Sequence, residues 1–243
     1  LVGSEMCIRD RSAPLFSTYP IPQQVKIWFI AIISFILFPI VSATTGFNVP
    51  LSVPELIVFL LREFAIGFII GFVANFIFAA VQMGGEFISM QIGLSMSQVL
   101  DPVSGNNLQI ISQFYLLVTT MVFIGLNAHQ WLFHALYQSY KTFPPGIDFV
   151  FTPAMVSQIL HMSAEMFAIS ISVILPIFCV MFVSEVLMGF MSKMMPQMNI
   201  FMVAIPLKVY VGFVLILMFL SPTVTYLVNI IESYLKNLLE IFV

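Results

Sequence analysis

Charged side chains are too scarce in this chain to cover a water-facing surface. Of its 243 residues, 8% are Asp, Glu, Lys or Arg, whereas 60% are apolar. A soluble domain carries about 25% charged residues, so this composition excludes a soluble globular fold. The hydrophobicity excludes intrinsic disorder, and a net charge of -3 without a basic cluster excludes a nucleic-acid-binding protein. We therefore expect a chain that lies in lipid, or in a large assembly that replaces lipid.

Long apolar runs predict an all-α, polytopic membrane protein built from long helices kinked at Pro and Gly. Most runs are long enough to cross a hydrocarbon core of about 30 Å as a helix. Thr152 and Pro153 are typical of a helix start, and Pro176 predicts a kink in the run that follows. The final segment, 223–243, is amphipathic and is expected to pack on a partner or at an interface. The predominantly apolar runs are 27–43, 56–82, 108–126, 153–194 and 200–220.

The first eleven residues differ in composition from the rest. They hold four charged residues, at positions 5, 9, 10 and 11, and contain no apolar signal-peptide core. The string LVGSEMCIRDR looks like a peptide encoded by a sequencing adapter. We expect 1–11 to be non-native and to make no packed contacts, and 12–243 to form a single membrane domain.

The second run carries a stripe of small and polar residues at every fourth position. A step of four residues drifts by about 40° on a helix, so this stripe winds slowly around it. Gly67 and Gly71 allow another backbone to approach closely, which predicts the packing of one membrane helix on another. The stripe consists of Glu63, Gly67, Gly71, Asn75 and Ala79.

Arg62 and Glu63 place two charges inside the same run. A charge at the bilayer centre costs about 2.5–3.5 kcal/mol on insertion scales. Arg62 has no acidic residue four positions away, so we expect its partner on another helix, such as Glu165 or Glu185. Structural pairing is favoured over an ion relay because no acidic series continues inward.

A second one-face series lies near the Pro196 turn. Glu185, Gly189 and Lys193 follow each other at four-residue steps, and Lys208 lies on the next predicted helix. We expect an ion pair between these two helices. A substrate-binding lysine is the weaker alternative.

The sequence predicts neither a metal site nor a cofactor. His129 and His134 are five residues apart, about 140° around a helix, which suits chelation poorly. His161 and Glu165 are four apart but have no further ligand nearby. Hydrolase, zinc-protease and P-loop motifs are missing. Cys179 is interpreted as a small buried apolar residue.

The polar stretch 83–107 is the most informative segment. It is nearly neutral and lies between two apolar runs, so its backbone must be wetted or buried in protein. Its methionines, Met96 among them, can repack around changing partners. Asp101 and Pro102 begin a turn that Gly105 helps to close. A re-entrant or pore-facing loop is favoured over an ordinary surface loop.

A series of motifs follows in a fixed order along 12–243. The motifs are Arg62-Glu63, Gly67, Gly71-Phe72, Gln82, Gly85, Gln91, Gly93, Ser95, Asp101-Pro102, Gly105, Asn127, His129, Pro176, Glu185, Gly189, Pro196-Gln197, Asn199 and Pro206-Leu207-Lys208. This ordered series resembles the FliR/SctT family of type III export membrane proteins. The resemblance implies that the family's first hydrophobic helix is missing, with 1–11 in its place.

The resemblance implies a non-enzymatic subunit of the flagellar export gate in the bacterial inner membrane, at the flagellar basal body. The gate would be helical, would contain FliP- and FliQ-type subunits, and would have FlhA- and FlhB-type proteins beside it. Its cargo would be unfolded flagellar subunits. The resemblance also implies a channel plug, whose candidate residues are Gly93, Ser95, Met96, Asp101, Pro102 and Gly105. Candidate helix-packing and assembly residues are Arg62, Glu63, Gly67, Gly71, Asn75, Glu185, Gly189, Pro196, Gln197, Asn199, Pro206 and Lys208.

Two other classes of function are weighed against this one. A small-solute transporter or channel with broken helices predicts an internal repeat with matched Pro and Gly interruptions, and the sequence has none. A membrane enzyme requires convergent His, Asp or Ser clusters, which are missing. The sequence leaves open the choice between a flagellum and an injectisome. It also leaves open the membrane side of each loop, because Lys and Arg show no surplus on one side.

Overall fold

All regular structure in the described part of the chain is helical. The computed structural model describes residues 53–94, 110–142, 153–195 and 200–240, together with single positions between 22 and 39. The prediction of an all-α fold is confirmed. The helices are α1 (Val53–Ile92), α2 (Ile110–Gly125), α3 (Ala128–Thr142), α4 (Pro153–Met194) and α5 (Ile200–Glu240).

Three segments of the described helices are long and apolar enough to cross a membrane. They are Glu63–Ile92, Pro153–Met194 and Val203–Leu238. The pair formed by α2 and the first part of α3 is bent by 68°, and counts as a fourth crossing if the pair forms one span. Asn127 makes this bend with a φ of 53°, a left-handed conformation that Asn tolerates better than most residues. The polytopic membrane prediction is confirmed.

The three longest helices exceed a bilayer in length. α1, α4 and α5 contain 40, 42 and 41 residues. At 1.5 Å per residue each is about 60 Å long, roughly twice the thickness of a hydrocarbon core. A helix of this length that crosses upright therefore extends well beyond the hydrocarbon.

The first helix runs ten residues further than the apolar pattern predicted. The stretch 83–92, interpreted as the start of a loop, belongs to α1. Burial is the reason, because Ile88 and Ile92 are fully buried and draw the segment into the core. The Gln82 side-chain amide also donates to the Glu86 carboxylate, one helical turn away, at 3.3 Å. Polar composition alone therefore predicted the end of α1 ten residues too early.

The predicted break near residue 221 is also wrong. The segments 200–220 and 223–243 were expected to be separate, but α5 continues through Pro222 to Glu240. Proline has no N–H, so the carbonyl of Met218 loses its usual helical donor. The Thr223 hydroxyl donates to the Phe219 carbonyl at 2.7 Å, within the turn that Pro222 disturbs. The helix persists because buried residues occur both before and after the proline.

The chain divides into two compact units, described separately here. Unit 1 contains α1 up to Phe76, the segment from Ile124 to Ala164, and the chain from Ile231. In it the Tyr234 hydroxyl donates to the Val73 carbonyl at 3.2 Å, a buried link between α5 and α1. Unit 2 contains Ile77–Phe123 and Glu165–Ile230. Its apolar cluster comprises Val81, Ile88, Ile92, Ile111, Tyr115, Val173, Ile177, Met181, Leu215, Ile216 and Leu227.

The interpretation of Cys179 as a buried residue is wrong. Its side chain is exposed on α4. An exposed thiol is compatible with an apolar helix whose outer surface meets lipid or protein instead of water. The expectation for 1–11 falls outside the described residues, and the single domain over 12–243 stays a prediction.

Candidate functional site

The candidate plug begins at a well-formed helix end. Gly93 has a φ of +90°, a conformation that favours glycine. Its N–H donates to the Met90 carbonyl at 3.0 Å, and the N–H of Leu94 donates to the Ser89 carbonyl at 3.2 Å. These two bonds form a Schellman motif, which ends α1 at Ile92. The other plug residues, Ser95, Met96, Asp101, Pro102 and Gly105, lie outside the described residues.

The end of α1 is anchored on α5. A Cβ built on Gly212 would overlap Cγ1 and Cδ1 of Ile92, so any other residue at this position would require the Ile92 side chain to shift. Ile92 is fully buried, and Leu94 packs against the same cluster of unit 2. The chain therefore leaves α1 from a fixed point, whatever the conformation of the residues that follow.

Two adjacent glycines bring α1 close to its neighbours in unit 2. A Cβ on Gly85 would lie 2.6 Å from Cα of Ser112, on α2. A Cβ on Gly84 would lie 3.3 Å from the Ser170 carbonyl oxygen, on α4. Both glycines are buried, and they set the spacing of three helices. Sequence reasoning noted Gly85 only as part of a motif and missed Gly84. A Gly-Gly pair inside a long helix was the available signal.

The predicted small-residue stripe is only partly packed within the chain. Gly67 is exposed, and a Cβ built on it would meet no atom within 4 Å. Gly71 and Asn75 are half-buried. Gly189, on α4, also has open space around it. The assembly role of these residues stays a prediction.

A ladder of phenylalanine rings runs beside this stripe on α1. Phe64, Phe68, Phe72 and Phe76 follow at four-residue steps, with centroid separations of 6.3, 5.7 and 4.7 Å. Phe72 is exposed, whereas Phe76 is buried. The outer surface of α1 thus carries large rings next to glycines. The space above the glycines allows a neighbouring helix to pack closely between the rings.

The predicted ion pair between the two C-terminal helices is confirmed. Nζ of Lys208, on α5, lies 2.6 Å from Oε1 of Glu185, on α4. Glu185 was also considered as a partner for Arg62, but it contacts Lys208 instead. The side chain of Arg62 and the residues Pro196, Gln197 and Asn199 lie outside the description, so their roles stay predictions. Pro206 lies in α5, and its side chain is exposed.

We expect the Lys208→Met variant to lower the free energy of unfolding by about 1–2 kcal/mol. The Glu185 carboxylate would lose its cation while it is 40% exposed, so the loss is smaller than for a buried charge. Thermal unfolding in detergent measures the effect. Lys193→Met, an exposed change near the end of α4, should stay within about 0.5 kcal/mol.

A double variant checks that the two groups act as a pair. Lys208→Met combined with Glu185→Gln removes both charges and should be more stable than Lys208→Met alone. If the loss of unfolding free energy in the double variant equals the sum of the losses in Lys208→Met and Glu185→Gln, the 2.6 Å contact contributes nothing to stability.

Tyr115 is a feature that sequence reasoning missed. The side chain is fully buried in the cluster of unit 2, and its hydroxyl has no hydrogen-bond partner in the part of the chain that the structure describes. An unpaired buried hydroxyl costs about 1–3 kcal/mol. The sequence held no signal for it, because an aromatic residue in an apolar run indicates only core packing.

The described residues contain no group of three or more His, Cys, Asp or Glu side chains that could hold a metal ion. His129 and His134 both lie on α3, and His161 and Glu165 lie on α4. The features that the structure establishes at the candidate site are helix packing, the ion pair between Glu185 and Lys208, and the end of α1 at which the candidate plug begins.

Comparison with known protein families shows to which family this chain belongs. The family described as bacterial export proteins, family 1, matches residues 11–234. The chain belongs to this family. The match covers most of the chain, including every candidate plug and assembly residue. The resemblance to FliR found from sequence motifs is thereby confirmed.

Several relatives of this chain share one name. The flagellar biosynthetic protein FliR of Escherichia coli (strain K12) is 27% identical over 201 residues, which are 83% of this chain and 76% of that protein. FliR of Bacillus subtilis (strain 168) is 25% identical over 235 residues, 94% of this chain and 89% of that protein. FliR of Aquifex aeolicus (strain VF5) is 25% identical over 228 residues, covering 92% and 85% respectively.

Proposed function

We propose that this chain is a FliR-type subunit of the flagellar protein export apparatus in the bacterial inner membrane. The observation that carries the proposal is the family match over 11–234, together with relatives named flagellar biosynthetic protein FliR. The three apolar membrane-length segments support the placement in a membrane. The location in the flagellar basal body is part of the same proposal.

The surface of the helices supports a role inside an assembly. α4 and α5 carry many large apolar side chains that are more than 40% exposed, such as Leu160, Phe182 and Leu217. Helices about 60 Å long cannot hide all of these in a hydrocarbon core of about 30 Å. Other export proteins would cover the remainder. The proposed partners are FliP- and FliQ-type gate subunits, with FlhA- and FlhB-type proteins beside them and unfolded flagellar subunits as cargo.

We also propose that the segment 93–105 plugs the closed channel of this gate. The junction between α1 and this segment supports the proposal. Gly93 ends α1, and Ile92 is held against Gly212, so the segment starts from a defined hinge. Its composition is nearly neutral, so it can block water and ions without holding a passing chain by charge. The conformational freedom of glycine and methionine suits a segment that must move aside.

Membership of an export family favours a structural gate component over an enzyme. No specific observation favours the small-solute transporter, and no cofactor enters the proposed function. Export would then depend on shape, packing and controlled opening.

Co-expression with FliP- and FliQ-type proteins tests the proposal. An affinity tag on this chain should recover both partners in one detergent-stable complex, and a strain lacking its own FliR should regain motility when it carries this chain. Recovery of the chain alone, together with failure to restore motility, would contradict the function proposed here.

We expect Gly71→Leu to reduce recovery of that complex more than it reduces folding of the chain. Gly71 lies beside the exposed phenylalanines, where a leucine would hold a neighbouring backbone away. The measurement is the ratio of co-purified partner to tagged chain. Phe87→Leu, an exposed change elsewhere on α1, serves as the matched control. Unchanged recovery for Gly71→Leu would indicate that the stripe does not contact a partner.

A further inference from the structure

Two buried tyrosines of this chain differ in whether their hydroxyl groups are paired. The Tyr234 hydroxyl donates to the Val73 carbonyl at 3.2 Å, within unit 1. The Tyr115 hydroxyl, in unit 2, is buried and has no hydrogen-bond partner in the part of the chain that the structure describes. A phenylalanine at position 115 would keep the ring and bury no polar atom. The packing around Tyr115 therefore carries a cost that the simpler side chain would avoid.

The residues around Tyr115 offer its hydroxyl no acceptor side chain. Short hydroxyl groups on the same helix bond to their own backbone: those of Thr119 and Thr120 donate to carbonyls one turn earlier, each at 2.8 Å. The tyrosine hydroxyl lies at the far end of a ring and cannot reach back in this way, so it depends on a neighbouring helix. The cluster members from α1, α4 and α5 are all apolar: Val81, Ile88, Ile92, Val173, Ile177, Met181, Leu215, Ile216 and Leu227.

The same cluster holds the chain on both sides of the segment 95–109. Ile92, the last residue of α1, is a member, and Leu94 packs against it. Ile111, in the first turn of α2, is a member as well. A rearrangement that changes the separation of these two helix ends must therefore loosen the packing around Tyr115.

We propose that Tyr115 is a conformational switch of unit 2, in which the unpaired hydroxyl weakens the packed cluster and gains water as a partner when the cluster opens. The position of a two-state equilibrium depends on the difference in free energy that a group has in the two states. The hydroxyl supplies such a difference, because it is unsatisfied in the packed state and hydrated in the open one. The proposal rests on the gate function proposed above, and it names a residue that favours opening.

Thermal unfolding of the full chain in detergent tests the first part of the proposal. Tyr115→Phe should raise the midpoint temperature by about 2–4 °C, because it removes an unpaired buried hydroxyl. Tyr234→Phe removes a paired hydroxyl and should lower the midpoint by about 1–3 °C. A lower midpoint for Tyr115→Phe would show that its hydroxyl already has a partner in the packed state, and would overturn the proposal.

Native-state hydrogen exchange tests whether the hydroxyl acts on local opening. The amides of 88–92 and 111–115 should exchange about tenfold more slowly in Tyr115→Phe than in the unsubstituted chain. The amides of 128–139, on α3 in unit 1, serve as the internal reference and should not change. Unchanged exchange in the two cluster segments would show that Tyr115 does not bias the opening of the cluster.

Secretion of flagellar subunits tests the link between this opening and export. In a strain that carries this chain in place of its own FliR, Tyr115→Phe should reduce secretion about tenfold at an equal amount of complex, because fewer channels are open. Tyr234→Phe should change secretion only in proportion to the amount of complex. Slower exchange with unchanged secretion per complex would overturn the switch and leave the proposed function standing. If the unsubstituted chain supports no secretion, the proposed function fails together with the switch.

Discussion

Replacing Gly85 by alanine is expected to lower the free energy of unfolding by about 1–3 kcal/mol. The new Cβ would lie 2.6 Å from Cα of Ser112, a separation that requires α1 and α2 to move apart. The backbone of Ser112 cannot rotate away as a flexible side chain can. The substitution therefore weakens the packing between helices of unit 2. Thermal unfolding of the purified chain in detergent measures this loss.

Gly189→Ala provides the matched control. A Cβ at Gly189 meets nothing within 4 Å, and alanine is favoured over glycine in a helix interior by about 1 kcal/mol. The control should therefore be neutral or slightly stabilising, opposite in sign to Gly85→Ala. Two variants of similar stability would refute the close approach of α1 and α2.

Shortening the segment 95–101 is expected to leave the export complex assembled but leaky. A closed state favoured by about 2 kcal/mol is open roughly 3% of the time, so complete loss of that bias, which leaves the channel open about half of the time, raises permeability by about 15-fold. Ion conductance in cells that carry the variant measures the change, and the amount of complex is determined in parallel.

An equal shortening of 143–149, between α3 and α4, controls for disturbance of a connecting segment. It should leave conductance unchanged if plugging is specific to the segment after α1. Normal assembly with unchanged conductance in the first variant would show that 93–105 does not plug the channel. A docking surface would then be the better interpretation of that segment.

The sequence predicted those features of the fold that depend on local pattern. Pro153 was expected to begin a helix, and α4 begins there and ends at Met194 as predicted. Glu185 and Lys208 were expected to pair because two charges in apolar helices near one turn have few other partners. Local chemistry was sufficient in both cases.

The errors arose where tertiary burial outweighed composition. Residues 83–92 looked polar, yet Ile88 and Ile92 pack in the core and keep the helix intact. Pro222 looked like a boundary, yet buried residues on both sides hold α5 together. Periodicity identifies residues that share a face, but it does not tell which face finds a neighbour within the same chain. For this reason Gly67 was singled out, whereas Gly84 and Gly212 were missed.

The length of α4 has a consequence for how the chain is made. A helix needs about 20 residues to cross the hydrocarbon core, and α4 contains 42 residues in one continuous helix. A newly synthesised chain that met only lipid would have to tilt α4 steeply or leave about 30 Å of it without hydrocarbon around it. If the proposed partners cover the part of α4 that lies beyond the hydrocarbon, insertion of this helix and assembly of the complex are coupled.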